Sequence, residues 1–284
     1  MKAKKGPTLR AQWLGKRLRE YREAANLTLK DAGDYIQRDA AAVSRLENGI
    51  TPGRVPDVLM LLNLYGIGDP QVRDGMERLS RDIWQKGWWD DYAGETTTTV
   101  IDLPWLESRA DGIRSYDAVV LHGLLQTRAY AEAVMKANRP KAEPTYLARW
   151  LEFRTARQHV LTGEEPLDMH AVLDETILHR MVGGPQIMRD QLVHLSDLTE
   201  RPNITIQILP FSAGAHASPF GSFAIFDMPS PYPDVAYIET DAGAIYTEAE
   251  GAEPFADAYD CLQTAALPPD ESTTLIVATA LQIS

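Results

Sequence analysis

Leu14, Leu18, Tyr21 and Ala25 recur at three- and four-residue spacing, and Lys16, Arg17, Arg19, Glu20, Arg22 and Glu23 fill the other positions. That alternation predicts an amphipathic helix over 11–25. Asn26 follows and tolerates a left-handed turn. Thr28 then stands as an N-cap, with Asp31 placed to favour the positive end of a helix over 29–36. Ala32 and Ile36 are its inward pair. After Gln37-Arg38, Asp39 caps a third helix over 40–47 with Val43 and Leu46 inward, and Asn48-Gly49 supplies the stop. Val58, Leu59, Leu61, Leu62 and Leu64 mark a fourth helix over 55–65, broken at Gly66-Ile67-Gly68-Asp69-Pro70.

The pair 29–36 and 40–47, joined by a tight turn, has helix-turn-helix spacing. Gly33 marks a place where another helix passes closely. Closing Ala32, Ile36, Val43 and Leu46 over one core leaves Ala40, Ala41, Ser44, Arg45 and Asn48 on the solvent side. Such a face fits a major groove about 12 Å wide. A plain helical bundle without a ligand has the same periodicity.

Further along, Val72, Met76, Leu79 and Ile83 predict a helix over 70–86 ending at Lys86-Gly87. Trp88 and Trp89 follow, readable as a hinge plug between domains or as a ligand-stacking pair. A polar loop, Glu95–Thr99, separates them from the rest. There, helices are expected near 100–111, 128–138, 143–162, 185–200, 252–266 and 269–281, with a short helical turn at Glu175–Met181. Extended segments are expected at Tyr116–Leu121, Leu167–Leu173, Ile204–Leu209, Phe220–Phe226, Val235–Glu239 and Ala244–Thr247. The last three read as a meander with turns at 229–233 and Asp241-Ala242-Gly243. The fold class is α+β: an N-terminal all-α helix-turn-helix bundle (1–68), a connecting helix and aromatic hinge (69–99), and a larger mixed α+β regulatory or interaction domain (100–284).

Charge sharpens this division. The 284 residues carry a net charge of −12, yet residues 1–66 hold 12 Lys/Arg against 7 Asp/Glu, a surplus of +5. The remainder is −17. A small basic head on an acidic body points to polyanion binding through the head. A single cysteine, Cys261, excludes an intrachain disulfide and reads as an inert core thiol on an apolar helix face. The basic start lacks an apolar stretch after it, and no run of 18 apolar residues exists, so a cytoplasmic protein without membrane attachment is expected.

Val43-Ser44-Arg45-Leu46-Glu47-Asn48-Gly49, preceded by Leu27-Thr28-Leu29, resembles the phage-repressor-like (XRE, Cro/C1-type) DNA-binding domain over about 10–66. The resemblance implies that the third helix is the recognition helix and that Asn48-Gly49 lies near a phosphate. It also implies that Ser44 and Arg45 face base edges or backbone, and that the helix beginning at Thr28 holds a phosphate through backbone N–H groups. The chain departs from the pattern in having Leu29 for a glutamine and Gln37 for a glycine. Ala40 and Ala41 stand where base-reading residues are common. Alanine reaches only a thymine methyl. Readout therefore falls to Arg38, Ser44 and Arg45, beside the cap at Asp39.

A second resemblance covers about 85–280. Its motifs include Gly87-Trp88-Trp89, Gly123-Leu124-Leu125-Gln126-Thr127, Val172-Leu173-Asp174-Glu175, Gly183-Gly184 and Arg201–Phe211. They are similar to the body of antitoxin-like transcriptional regulators of high-GC Gram-positive bacteria, often encoded beside a small partner protein. His122 stands where that family has proline. The resemblance implies double-stranded DNA as partner and a small adjacent-encoded protein at the body; the short recognition helix separately favours a homodimer, with the body expected to supply the dimer surface and a site for a small-molecule effector or protein.

The chain has no metalloprotease, nucleophile-elbow, P-loop or dinucleotide motif, and its six histidines lack metal-ligand spacing. Neither an enzymatic activity nor a cofactor or metal is expected. The polar residues available to a ligand or partner pocket are Gln126, Arg157, Glu175, Gln191 and His216, together with Trp88 and Trp89. Each also reads as a structural group.

Overall fold

The computed structural model describes residues 6–92, 98–240 and 243–283. The chain divides into two compact units. One is Met1–Trp105 with Pro229–Tyr232, the other Leu106–Met228 with Pro233–Ser284. Among the described residues no helix is long and apolar enough to cross a membrane.

The first unit is helical: α1 (Leu9–Ala24), α2 (Leu29–Tyr35), α3 (Ala40–Glu47), α4 (Val55–Leu64), α5 (Pro70–Asp82), a 3-10 turn at Trp88–Tyr92 and the start of α6 (Thr98–Arg109). Leu14, Leu18, Ala32, Val43, Leu46, Val58, Leu61 and Leu62 form its core. Gly15 lets α1 cross the end of α3 at close range, since a Cβ there would stand 2.5 Å from the Glu47 carbonyl oxygen. A second cluster brings Trp13 within 5.7 Å of Trp105 and 5.9 Å of Tyr232, ring centre to ring centre. That packing carries the unit as far as Trp105.

The second unit is built on a six-stranded sheet ordered β3-β2-β1-β4-β5-β6. Its strands are β1 (Gly112–Asp117), β2 (Asp168–Asp174), β3 (Ile204–Leu209), β4 (Phe223–Asp227), β5 (Val235–Thr240) and β6 (Gly243–Glu248). β1, β2 and β3 run parallel, with Gly112 opposite Asp168 and Met169 opposite Ile204. Parallel neighbours need crossovers. α7 (Arg128–Asn138) and α8 (Pro144–Arg157) supply the first, α9 (Thr176–His179) and α10 (Pro185–Leu198) the second. β4, β5 and β6 form the antiparallel meander. Tyr116, Val172, Leu209, Phe223 and Ile225 pack against Tyr259 and Leu262 of α11 (Glu253–Ala265). α12 (Pro269–Gln282) shields the β3 edge, where the Ile208 N–H donates to Ser272 Oγ at 2.9 Å.

Several sequence expectations need correction. β1 begins at Gly112 and ends at Asp117, so Ala118–Leu121 is not strand. Polar Arg114 and Ser115 disguise its alternation. The helix expected over 70–86 ends at Asp82, and the one over 143–162 ends at Arg157, with a 3-10 turn after it. β4 starts at Phe223, three residues late. Cys261 is exposed, because α11 buries Tyr259 and Leu262 and the helical rotation carries position 261 to the opposite side. Thr98 and Thr99 of the expected loop are helical; its other residues, Met1–Lys5, Asp241 and Ala242 lie outside the described residues.

Candidate nucleic-acid interface

α2 opens with a reciprocal cap. Thr28 Oγ1 accepts from the Asp31 N–H at 3.1 Å, while the Thr28 N–H donates to Asp31 Oδ2 at 2.8 Å. Hydrogen bonds from the Thr28 hydroxyl and N–H hold the Asp31 carboxyl below the usual carboxylate range. The α2 N-terminus thus already carries an anion of its own where the resemblance implied a phosphate.

The turn to α3 is set by Gln37, which takes φ +56°. This left-handed conformation is the one for which the pattern carries glycine. The Arg38 N–H closes the turn on the Gly33 carbonyl at 2.8 Å. A Cβ on Gly33 would stand 2.7 Å from the Arg38 carbonyl oxygen, so its close neighbour is the turn itself and not a passing helix. Asp39 Oδ1 accepts from the Ala42 N–H and starts α3.

Val43, Leu46 and Glu47 of α3 face inward, and Ala41, Arg45 and Asn48 are exposed; Ala40 and Ser44 are half-buried at the margin. Arg45 is held loosely, 3.9 Å from Asp39. Arg38 pairs with Asp57 of α4 at 3.2 Å. Asn48 is oriented from two sides: its Oδ1 accepts from Arg19 Nη2 and its Nδ2 donates to the Ser44 carbonyl, both at 2.7 Å. Arg19, Arg38, Arg45 and Asn48 are thus solvent-accessible donors on or beside α3. Such donors suit phosphates and base edges.

The residues expected to line a pocket fall into separate places. Gln126, Gln191 and Arg157 meet on the 121–127 loop. Gln126 Nε2 donates to the Leu121 carbonyl at 2.7 Å, and Gln191 holds the Thr127 N–H and the Leu125 carbonyl at 2.6 and 2.8 Å. Arg157 is committed to Glu107, donating from Nε to Oε2 at 2.8 Å. Glu175 and His216 lie elsewhere, around the C-terminal ends of β1 and β2. Glu175 Oε2 accepts from the Phe211 N–H at 2.7 Å, and His216 Nε2 is 3.3 Å from the Tyr116 hydroxyl. Trp88 and Trp89 belong to the first unit and meet edge to face at 5.9 Å; Trp89 is buried and Trp88 exposed.

A family model described as a domain of unknown function, DUF5753, matches residues 100–278. The chain belongs to the DUF5753 family. A second model, described as a helix-turn-helix domain, matches residues 13–74, which take in most of α1, all of α2–α4 and the start of α5. This DUF5753 chain therefore carries the helix-turn-helix unit characteristic of DNA-binding regulators. No curated protein and no solved structure matches it.

Sequence reasoning missed several polar residues of this DUF5753 protein. Glu47 reads as an exposed helix residue but is buried against Arg22. Glu107 reads as the polar side of an amphipathic helix, and its pairing with Arg157 spans fifty positions. Arg154 carries one available signal, its three-residue spacing from Arg157 on α8. Tyr116 and Asp174, within 3.4 Å of each other through hydroxyl and carboxylate, read only as strand residues.

Proposed function

We propose that this DUF5753 chain is a sequence-specific transcriptional regulator of the Cro/C1 type. In this reading α3 lies in the major groove of double-stranded DNA, with Ser44 and Arg45 toward base edges. Arg38 shares that readout, and Asn48 and the α2 start at Thr28 lie toward the backbone. The observation that supports it is the division of α3 into a buried side, Val43 and Leu46, and an outward side with Ala41, Arg45 and Asn48. A helix this short spans few base pairs, so a homodimer on a two-fold operator is part of the proposal. So are a cytoplasmic setting, the lack of catalysis, and a regulatory role for the second unit. Mapping of bound DNA across the genome tests the reading. Discrete sites with paired half-sites support it, and uniform coverage contradicts it.

A second reading makes the second unit an antitoxin-like interaction module for a small partner protein. Phe211 and Phe220, both exposed in the β3–β4 connection, favour it. Recovery of a stoichiometric small protein that changes DNA binding separates the readings.

A further inference from the structure

β3 is an outer strand of the sheet, and α12 covers only part of its free side. The pairing with β2 fixes which backbone groups that side presents. The Met169 N–H donates to the Asn203 carbonyl at 2.8 Å, with Met169 opposite Ile204 and Ala171 opposite Ile206. In a parallel ladder, alternate residues of a strand turn their N–H and C=O to the same side. Asn203, Thr205 and Gln207 therefore face β2, and Ile204, Ile206 and Ile208 face away from it. The Ile208 N–H accordingly donates to Ser272 Oγ at 2.9 Å, and the Ile208 carbonyl accepts from the Leu267 N–H at 2.8 Å. The Ile204 N–H turns back to the Arg201 carbonyl at 3.2 Å. The Ile204 carbonyl and both backbone groups of Ile206 have no partner on that side among the described residues.

A cavity of about 380 Å³ lies at this stretch of the edge. Its walls include Ile204, Thr205 and Ile206 of β3, Thr199 at the end of α10, and Asp270 and Thr273 near the start of α12. The Thr199 and Thr273 hydroxyls lie 3.4 Å apart, so the two helices meet beside it. Ile204 and Ile206 are buried, whereas Asp270 is exposed, so the cavity leads from solvent to the strand edge. Buried backbone groups call for hydrogen-bond partners, and here a space within the usual size range of ligand sites adjoins them.

Donor and acceptor at strand spacing match another peptide backbone. One residue of an antiparallel segment would exchange both bonds with Ile206, and the residue two further on would donate to the Ile204 carbonyl. The segment cannot continue past Ile208, where Ser272 and Leu267 already occupy the edge. An antiparallel segment therefore has its N-terminal end at the start of α12. Asp270 is there, without an ion pair among the described residues, and Glu271 shares that first turn. Two carboxylates outweigh the partial positive charge of a helix start, so an ammonium is favoured at that end.

We propose that this cavity binds the N-terminal residues of an extended peptide, added antiparallel to β3 with its ammonium at Asp270. The site lies wholly within the second unit and is independent of the DNA-binding reading.

The test uses the full chain and an alternating valine–threonine tetrapeptide with a free N-terminus and an amidated C-terminus. Isothermal titration and amide NMR are the readouts. Saturable binding is expected, with shifts centred on the Ile206 and Thr273 amide signals. Methylating the internal peptide nitrogens removes the donors and should weaken binding by about tenfold. Acetylating the N-terminus, or Asp270→Asn, should weaken it by about two- to fivefold. Thr273→Phe, confirmed folded by circular dichroism, fills the cavity and should abolish binding. Absence of saturable binding, shifts confined to other residues, or equal affinity for the N-methylated peptide overturns the proposal, whether or not Thr273→Phe folds. Undiminished binding to a folded Thr273→Phe overturns it as well. Affinity unchanged by both acetylation and Asp270→Asn overturns the placement of the ammonium.

Discussion

The Glu47 carboxylate receives two hydrogen bonds from the Arg22 guanidinium, 2.6 Å to Oε1 and 2.9 Å to Oε2, in the buried seam between α1 and α3. Each partner is almost fully covered, and the hydrogen bonds that Arg22 donates to Glu47 raise the Arg22 pKa further. Arg19 reaches the same carboxylate at 3.5 Å and also holds Asn48. One buried acid therefore fixes the end of α3 against α1 and sets the position of its outward face. Glu47→Gln should leave a buried guanidinium uncompensated and cost about 3 kcal/mol. Urea denaturation followed by tryptophan fluorescence reads this directly, and an unchanged midpoint contradicts the structural role.

Arg45 is exposed and loosely held, so its replacement should leave stability intact. Arg45→Ala is expected to weaken operator binding by about 1–3 kcal/mol if it meets a base edge. The pair of measurements is a gel-shift titration and a thermal melt. Equal DNA midpoints for the two proteins would remove Arg45 from the interface.

On the proposed interface, Asp57, which pairs with Arg38 at 3.2 Å, would compete with DNA for it. The pair is solvent-facing, so breaking it costs on the order of 0.2–1 kcal/mol. Asp57→Asn releases Arg38 and removes a negative charge beside the backbone. A modest gain in affinity, at most a few-fold, should follow in anisotropy titrations. A loss of affinity would show that Asp57 positions Arg38 productively.

Asp102 of α6 accepts a hydrogen bond from the Leu9 N–H at 2.9 Å, within the first unit. Burial outweighs that bond and raises its pKa to about 6. The sign follows from proton counts: between about pH 4 and pH 6 the folded form holds the proton more tightly than the unfolded one. This group's stabilising contribution is full below pH 4 and declines as pH rises to 6, by roughly 3 kcal/mol at 1.36 kcal/mol per unit. Asp102→Asn should flatten that part of the wild-type pH–stability profile. A difference between variant and wild type that is constant from pH 4 to pH 7 contradicts it.

In the second unit, Glu107→Gln should cost about 3–5 kcal/mol, because Arg157 would remain buried without its counter-charge. Replacing both by apolar residues, Glu107→Leu with Arg157→Met, should recover most of the loss. A double variant no better than the single one would show that the pair contributes more than mutual neutralisation.

The helical head was legible in the sequence because each decision there is local. Thr28 and Asp39 announce helix starts, Asn26 and Asn48-Gly49 announce stops, and Val43 and Leu46 set the face. α3 was placed at its observed bounds for that reason. The body was legible where alternation is clean, as at Ile204–Leu209, and illegible at β1, where Arg114 turns to Asp227 and Ser115 to Asp117. The candidate site residues were recognised one by one, but convergence depends on pairs distant in the chain. Gln126 and Gln191 meet across more than sixty positions through backbone groups. Nothing local to Glu47 or Glu107 signals burial, since both occupy positions that suit an exposed helix acid equally well.

The central claim is that the outward face of α3 meets a DNA duplex. Selection of bound duplexes from a random pool by the full chain, repeated with Arg45→Ala, tests it most directly. The account predicts enrichment of an inverted repeat whose half-sites lie about one helical turn, roughly 10 base pairs, apart, lost or relaxed in Arg45→Ala. No enrichment at low salt, or the same enriched sequence from both proteins, would contradict it.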